Sequence, residues 1–368
     1  MSQHGEFEFH WADKSDEKDI RKLAGAVVMP GAVAVRFARE PDYFLGTTIM
    51  GDPCQVLIAR HKPDGQLAGI ACLAMRRTFV NGQETQIGYI GQIRVAKEFR
   101  GKWLVAIGAR HFKEASPDGL TCLGVIAREN PRARRVLVED RLPAGIRAVR
   151  LGGLTTYAIL LRKHPKPHFE GIRVQPGSQE SLGEIVDFLH RHGPRRQFFP
   201  AYTLSDFSYR KTMRGLELEH IMVAYENGRI VGIMAAWDQA AYKQDVVDSY
   251  GTILSLGRPI YDMTARLLGA SVLTRPDQTI SLAFAACICV KEDRPPVMRA
   301  LLSHCMESAL DRGKAFLMIG MADEDPLLGI ARRQLHITYH SDLFMVGWSS
   351  RSMIQLDGRA PYIEIATL

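Results

Sequence analysis

Short runs of apolar or alternating residues, each closed by a turn signal, recur along the chain and are broken by two amphipathic stripes of helical period. The segment from Gln55 to Leu73 reads as a strand, an Asp64-Gly65 turn and a second strand carrying Gly69. From His220 to Trp237 the same order returns, with Asn227-Gly228 at the turn and Gly232 in the second strand. Each hairpin leads to a strand ending in valine, Gln86 to Val95 and Ile280 to Val290, and then to a helix. Leu104, Ile107, Gly108, His111 and Ala115 stripe the first helix, over roughly 102–115, and Val297, Leu301, Cys305 and Ala309 stripe the second, over roughly 296–312. Strands follow at Thr121 to Ala127 and Ala315 to Met321, then a short helix and closing strands, Leu154 to Leu161 among them.

A repeated order of this kind predicts a mixed α/β (α+β) architecture of two tandem units, each a mixed sheet flanked by helices. The stretch from Lys163 to Gly171, with two prolines, marks the boundary, so the units are 1–165 and 166–368. Gly69 and Val95 are 26 residues apart, whereas Gly232 and Val290 are 58 apart, so the second unit carries an insertion of about 32 residues. It falls within roughly 240–280, includes the helix-like run from Tyr261 to Ala270, and is placed to cover a cleft or make a subunit contact.

The 368 residues, 46% apolar and 24% charged, suffice for two cores. Six acidic residues among the first twenty leave no room for a signal peptide, so a cytoplasmic protein is expected. The longest apolar run, Leu282 to Val290, is far short of the ~20 residues that span a bilayer, which predicts a buried strand and no membrane span. Six cysteines fit scattered, reduced core thiols. The pairs His190/His192 and His336/His340 lack the grouped spacing of a zinc site, and no metal is expected. Charge is divided unevenly: residues 1–165 hold 25 Lys+Arg against 17 Asp+Glu, and residues 166–368 hold 22 against 23. The excess points to an anionic partner on the first unit, nucleic acid or a phosphorylated cofactor.

The stretch Ile93-Arg-Val-Ala-Lys-Glu-Phe-Arg-Gly-Lys-Trp-Leu-Val-Ala-Ile is a strand end, a basic turn and a helix start. Free N–H groups and a positive dipole at such a helix start, beside Arg100, Gly101 and Lys102, make a cradle for a pyrophosphate. Gly101 allows close backbone approach.

This stretch resembles the GNAT acetyltransferase superfamily, in which a strand ends in Val a few residues before an Arg-Gly-x-Gly-x-Gly/Ala loop that binds the CoA pyrophosphate. Val95 and Arg100-Gly101-Lys102 match, while Trp103 and Val105 stand at the next two small positions. Asn130 and Ala133 resemble the family's Asn-x-x-Ala element, whose Asn faces the pantetheine arm; the tyrosine that follows it in the family is Leu137 here. The resemblance implies two tandem GNAT-like domains with splayed sheets, and acetyl-CoA or a related acyl-CoA held by Ile93, Arg94, Val95, Arg100, Gly101, Lys102, Trp103, Leu104, Val105 and Asn130. Glu292-Asp-Arg-Pro-Pro-Val at the equivalent place in the second unit lacks donors, so the cofactor is expected in the first.

The function so implied is N-acyl transfer to a small-molecule or peptide amine. Tyr89, six residues before Val95, stands where some members carry a carboxylate and is the candidate acid or base; a half-buried core tyrosine is the competing and favoured reading. Two other functions remain open. One is a non-catalytic acyl-CoA sensor or scaffold. The other is nucleic-acid binding through Arg128, Arg132, Arg134, Arg135 and Arg141, a cluster that lacks interleaved aromatics and reads as a solvated helix face.

Overall fold

The computed structural model describes residues 3–29, 31, 33–101, 103–136, 146–163, 169–209, 211–252, 255–258, 262–263, 272–348 and 353–368. Sixteen strands are present among them: β1 (Phe7–Trp11), β2 (Val28–Met29), β3 (Val33–Ala38), β4 (Cys54–His61), β5 (Leu67–Val80), β6 (Gln83–Val95), β7 (Thr121–Ala127), β8 (Arg147–Leu160), β9 (Arg173–Pro176), β10 (Phe199–Pro200), β11 (Ile221–Glu226), β12 (Arg229–Trp237), β13 (Gln244–Tyr250), β14 (Leu282–Val290), β15 (Phe316–Ala322) and β16 (His336–Gly347).

Both hairpins form as expected. In the second, Asn227 (φ 49°) and Gly228 (φ 73°) supply the two left-handed residues of a tight turn that splays neither strand. The amphipathic stripes become helices Leu104–Ala115 and Pro295–Asp311. The latter buries Val297, Leu301, Cys305 and Ala309 against the second half of the sheet, each large apolar side chain contributing about 1.5–3 kcal/mol. All six cysteines are free thiols.

The two sequence units do not close their own sheets. Strand order in the main sheet is β1-β4-β5-β6-β7-β16-β8-β15-β14-β12-β11-β9. The last strand of the second unit, β16, therefore lies against β7 of the first, and β8 of the first lies against β15 of the second. Ion pairs lock the crossing. The carboxylate of Asp342 on β16 receives Arg128 (3.0 Å) and Arg150 (2.9 Å), and Arg128 also reaches Asp323 (2.8 Å). Burial alone would raise the Asp342 carboxyl, but the bonds from Arg150 and Arg128 outweigh it and hold it below the usual range. Gly153 makes room for the crossing, since a Cβ there would lie 2.0 Å from both Arg128 and Asp323. The arginine cluster singled out in the sequence thus partly serves the junction; Arg141 lies outside the described residues.

The insertion contributes β13, which pairs with β3 in a separate three-stranded sheet, β13-β3-β2. Phe37 and Asp245 of this sheet and Arg39 just after β3 line one cavity with main-sheet residues of both halves, Arg94 and Phe284 among them. Most of the run from Tyr261 to Ala270 lies outside the described residues.

Candidate functional site

β6 and β7 run parallel and pair only at Gly88–Cys122 and Tyr89–Leu123. Their contact is close because Gly88 has no side chain: a Cβ there would sit 2.3 Å from the Cys122 sulfur. Beyond Tyr89 the strands part. Gln92, left-handed at φ 53°, coincides with a register break against β5 between Ile70 and Cys72. A cavity of about 900 Å³ is lined by residues of the resulting wedge, of helix Leu104–Ala115 and of β3 and β13.

On one face the cavity is lined by Arg100, Gly101, Trp103, Leu104 and Val105. Gly101 (φ 89°) and Trp103 (φ 61°) turn the chain into helix Leu104–Ala115, whose first turn has no side-chain cap, so its N–H groups stay available. Arg100 is exposed and anchored through Nε to the Val95 carbonyl at 3.3 Å, and among the described residues the outer end of its fork has no partner and can meet an anion. Ile93 and Val95 line the wedge; Lys102 lies outside the described residues, as does Leu137. Asn130 lines the cavity too, but its side-chain oxygen accepts the Ala133 N–H at 3.0 Å, capping helix Pro131–Arg134.

On the other face lie residues that sequence reasoning missed, together with Arg94, which it places at the cofactor. Phe37 on β3 stands opposite Asp245 on β13. The guanidinium carbons of Arg39 and Arg94 lie 5.8 and 5.7 Å from the Phe37 ring centre, so the Arg94 side chain faces away from the pyrophosphate cradle. Burial pushes both arginines below their ordinary pKa. Burial pushes the Lys243 amine to about 7, with Arg39 adding to the effect; its Nζ donates to the Ala366 and Leu368 carbonyl oxygens at 3.0 and 2.8 Å. Asp245 is pushed upward by burial, against the pull of Lys243 and Arg39, and its Oδ1 is shielded from water with no hydrogen-bond partner.

Tyr89 is 4% exposed, with the Arg76 guanidinium 4.1 Å from its ring centre. Burial raises its hydroxyl to about 12, so at neutral pH it is a hydrogen-bond donor rather than a base. His340 also lines the cavity, its Nδ1 3.1 Å from Thr155 Oγ1, which donates to Asp323 at 2.6 Å.

The second half has a wedge of the same design. β14 and β15 pair only from Leu282–Phe316 to Phe284–Met318, and Cys287 (φ 53°) stands three residues before Val290 as Gln92 stands before Val95. That wedge is filled by the chain itself. The Cys287 N–H donates to Glu364 at 2.8 Å and the Ile288 N–H to Tyr362 Oη at 3.1 Å; Tyr202 and Tyr362 hydroxyls both donate to Glu364. The loop past Val290 is closed as well: Arg294 forks Glu226 at 2.7 Å twice, Arg196 holds Asp293, and Pro295 and Pro296 remove donors. Glu364→Ala leaves one buried N–H and two hydroxyls unmet and is expected to cost about 2–5 kcal/mol in urea unfolding. Glu364→Gln keeps an acceptor and is expected to cost about 1 kcal/mol; equal losses would show that the plug's hydrogen bonds are immaterial.

Among the described residues, no group of three or more His, Cys, Asp or Glu could hold a metal ion, and no helix is long and apolar enough to cross a membrane. No family model matches the chain, and no curated protein matches it. Solved structures do. A GCN5-related glucosamine N-acetyltransferase region of a fungal multi-domain GH3 β-N-acetylglucosaminidase aligns over 92% of the chain with TM-score 0.61 and 13% identity; the chain spans 38% of that protein. Saccharomyces cerevisiae N-myristoyltransferase with bound myristoyl-CoA aligns over 92% of the chain and 82% of its own, with TM-score 0.57 and 12% identity. A GCN5-related N-acetyltransferase from Sphaerobacter thermophilus aligns over 99% of both chains, with TM-score 0.57 and 15% identity. The chain has a GNAT-type fold.

Proposed function

We propose that the chain is an acyl-CoA-dependent N-acyltransferase, using acetyl-CoA or a related acyl-CoA in the wedge of its first unit and a small-molecule or peptide amine as acceptor. The observation that carries this is the contrast between two wedges of one design. The first is open, with an uncapped helix start and a free arginine fork; the second is filled by Glu364 and Tyr362. A bound acyl-CoA would supply an activated thioester carbonyl.

The chain's residues divide the remaining work. Arg100, Gly101 and the first turn of helix Leu104–Ala115 hold the pyrophosphate, and the free edge of β6 from Ile93 to Val95 aligns the pantetheine arm. Asp245 takes the proton of the acceptor amine, its raised affinity for protons fitting it to the task. Tyr89 donates a hydrogen bond in the wedge without giving up its proton.

Release of free CoA thiol from acetyl-CoA in the presence of pooled primary amines tests the proposal. Thiol release above the amine-free rate supports it; acyl-CoA binding without release would leave a non-catalytic sensor. Tyr89→Phe keeps the ring and removes only the hydroxyl, and is expected to lower turnover about 10- to 100-fold. Unchanged turnover would make Tyr89 a packing residue.

A further inference from the structure

The face of the cavity opposite helix Leu104–Ala115 carries a charge pattern that the acyl-CoA site does not use. Arg39 and Arg94 converge on one ring, Phe37, and both line the cavity. Arg39 is only 4% exposed. Their hydrogen bonds run to neutral acceptors: Arg39 to the Ala38 carbonyl at 2.8 Å, Arg94 to the Ile93 carbonyl at 3.0 Å and Gln92 Oε1 at 3.4 Å. The Arg94 Nε is buried with no hydrogen-bond partner among the described residues. Two buried cations side by side repel each other and lose hydration, a cost that an anion between them would reverse.

The carboxylate of this face, Asp245, acts on Arg39 and Lys243 through space without an ion-pair contact to either. Asp245 stands across from Phe37 in the strand register, yet no ion pair joins it to a described residue and its Oδ1 is unpartnered. The Arg39–Arg94 pair and the Asp245 carboxylate, all lining one cavity, are complementary to a molecule carrying both charges.

An apolar floor completes the face. Ile337, Ala158, Met318 and Phe284 are neighbours in register across β16, β8, β15 and β14, and all four line the same cavity. Cross-strand partners share a face, so these side chains form a continuous row.

We propose that the acceptor is an apolar α-amino acid, its carboxylate held by Arg39 and Arg94, its amine directed to Asp245 and its side chain laid on the row from Ile337 to Phe284. The identity of this ligand follows from the charge pattern; its acylation rests on the acyl-transfer proposal above.

Calorimetric titration of the full chain with L-leucine, isopentylamine and O-phosphoethanolamine, with and without saturating CoA, separates the two. L-Leucine is expected to bind about 10- to 100-fold more tightly than isopentylamine, which lacks only the carboxylate. Arg94→Gln should shrink that preference to about twofold or less, and Arg94→Lys, which keeps the charge without the fork, should retain part of it. Circular dichroism melts of both variants check that they fold; should Arg94→Gln not, the ligand comparison on the unaltered chain decides alone. Leucine binding without CoA, in a chain that binds no CoA, would uphold the amino-acid site while removing acyl transfer. Equal affinities for leucine and isopentylamine, or tighter binding of O-phosphoethanolamine than of leucine, would overturn the proposal.

Discussion

Asp245→Asn is expected to lower kcat/KM for acyl transfer by about 10²- to 10⁴-fold, the range of a lost general base. Asparagine has the same shape and no basicity, and among the described residues Asp245 Oδ1 makes no hydrogen bond that the change would break. Stability separates a chemical role from a structural one. Burial raises the Asp245 pKa in the folded chain, so the folded state binds the proton more tightly than the unfolded state does. Stability is therefore lost as pH rises from the ordinary carboxylate range through the raised value, and at neutral pH the asparagine variant escapes that penalty. Its melting temperature should equal or exceed that of the parent. The activity that remains in the parent should climb with pH through the same raised value, because only the deprotonated carboxylate accepts a proton. Thiol release between pH 5 and 9, paired with thermal melts, checks this. Activity within threefold of the parent, or a loss matched by a lower melting temperature, would exclude Asp245 as the base.

Separating the two sequence units should abolish folding of each. A chain ending at residue 165 would keep β7 and β8 but lose β16, which lies between them, and β15, which flanks β8. Both strands would then present bare edges, with the apolar side chains of β8 uncovered. The fragment 1–165 alone is expected to be insoluble or to lack near-ultraviolet dichroism, whereas co-expression with 166–368 should restore a complex that unfolds in one transition. A soluble, cooperatively folding 1–165 would show that the exchanged strands are dispensable.

How much of this lay in the sequence varies by element. The repeat was legible because local chemistry fixes it: Val95 and Thr121 are separated by the same interval as Val290 and Phe316, and each preceding hairpin has its turn signal. The exchange of β8 and β16 was not, since period and propensity say where a strand forms but not which partner it takes. The plug was hidden for a related reason. Tyr362 and Glu364 sit in a short segment without periodicity, and only the fold reveals that they meet the N–H groups of Cys287 and Ile288. Arg39, Lys243 and Asp245 carry no local signal, because nothing in the sequence shows that β3 and β13 pair with each other and line one cavity with the main sheet. The insertion's unusual length was the one available signal. Conversely, the Asn130 motif was legible as a pattern, yet its side-chain oxygen is engaged in a helix cap.

The central claim is that one wedge of two holds acyl-CoA, and titration calorimetry of the full chain with CoA tests it most directly. One site per chain is expected, weakened about 10- to 100-fold by Arg100→Ala, the scale of a charge-assisted hydrogen bond, and altered less than twofold by Arg294→Ala, whose fork is already engaged by Glu226. Two sites per chain, equal losses from both substitutions, or no binding at millimolar CoA would contradict it.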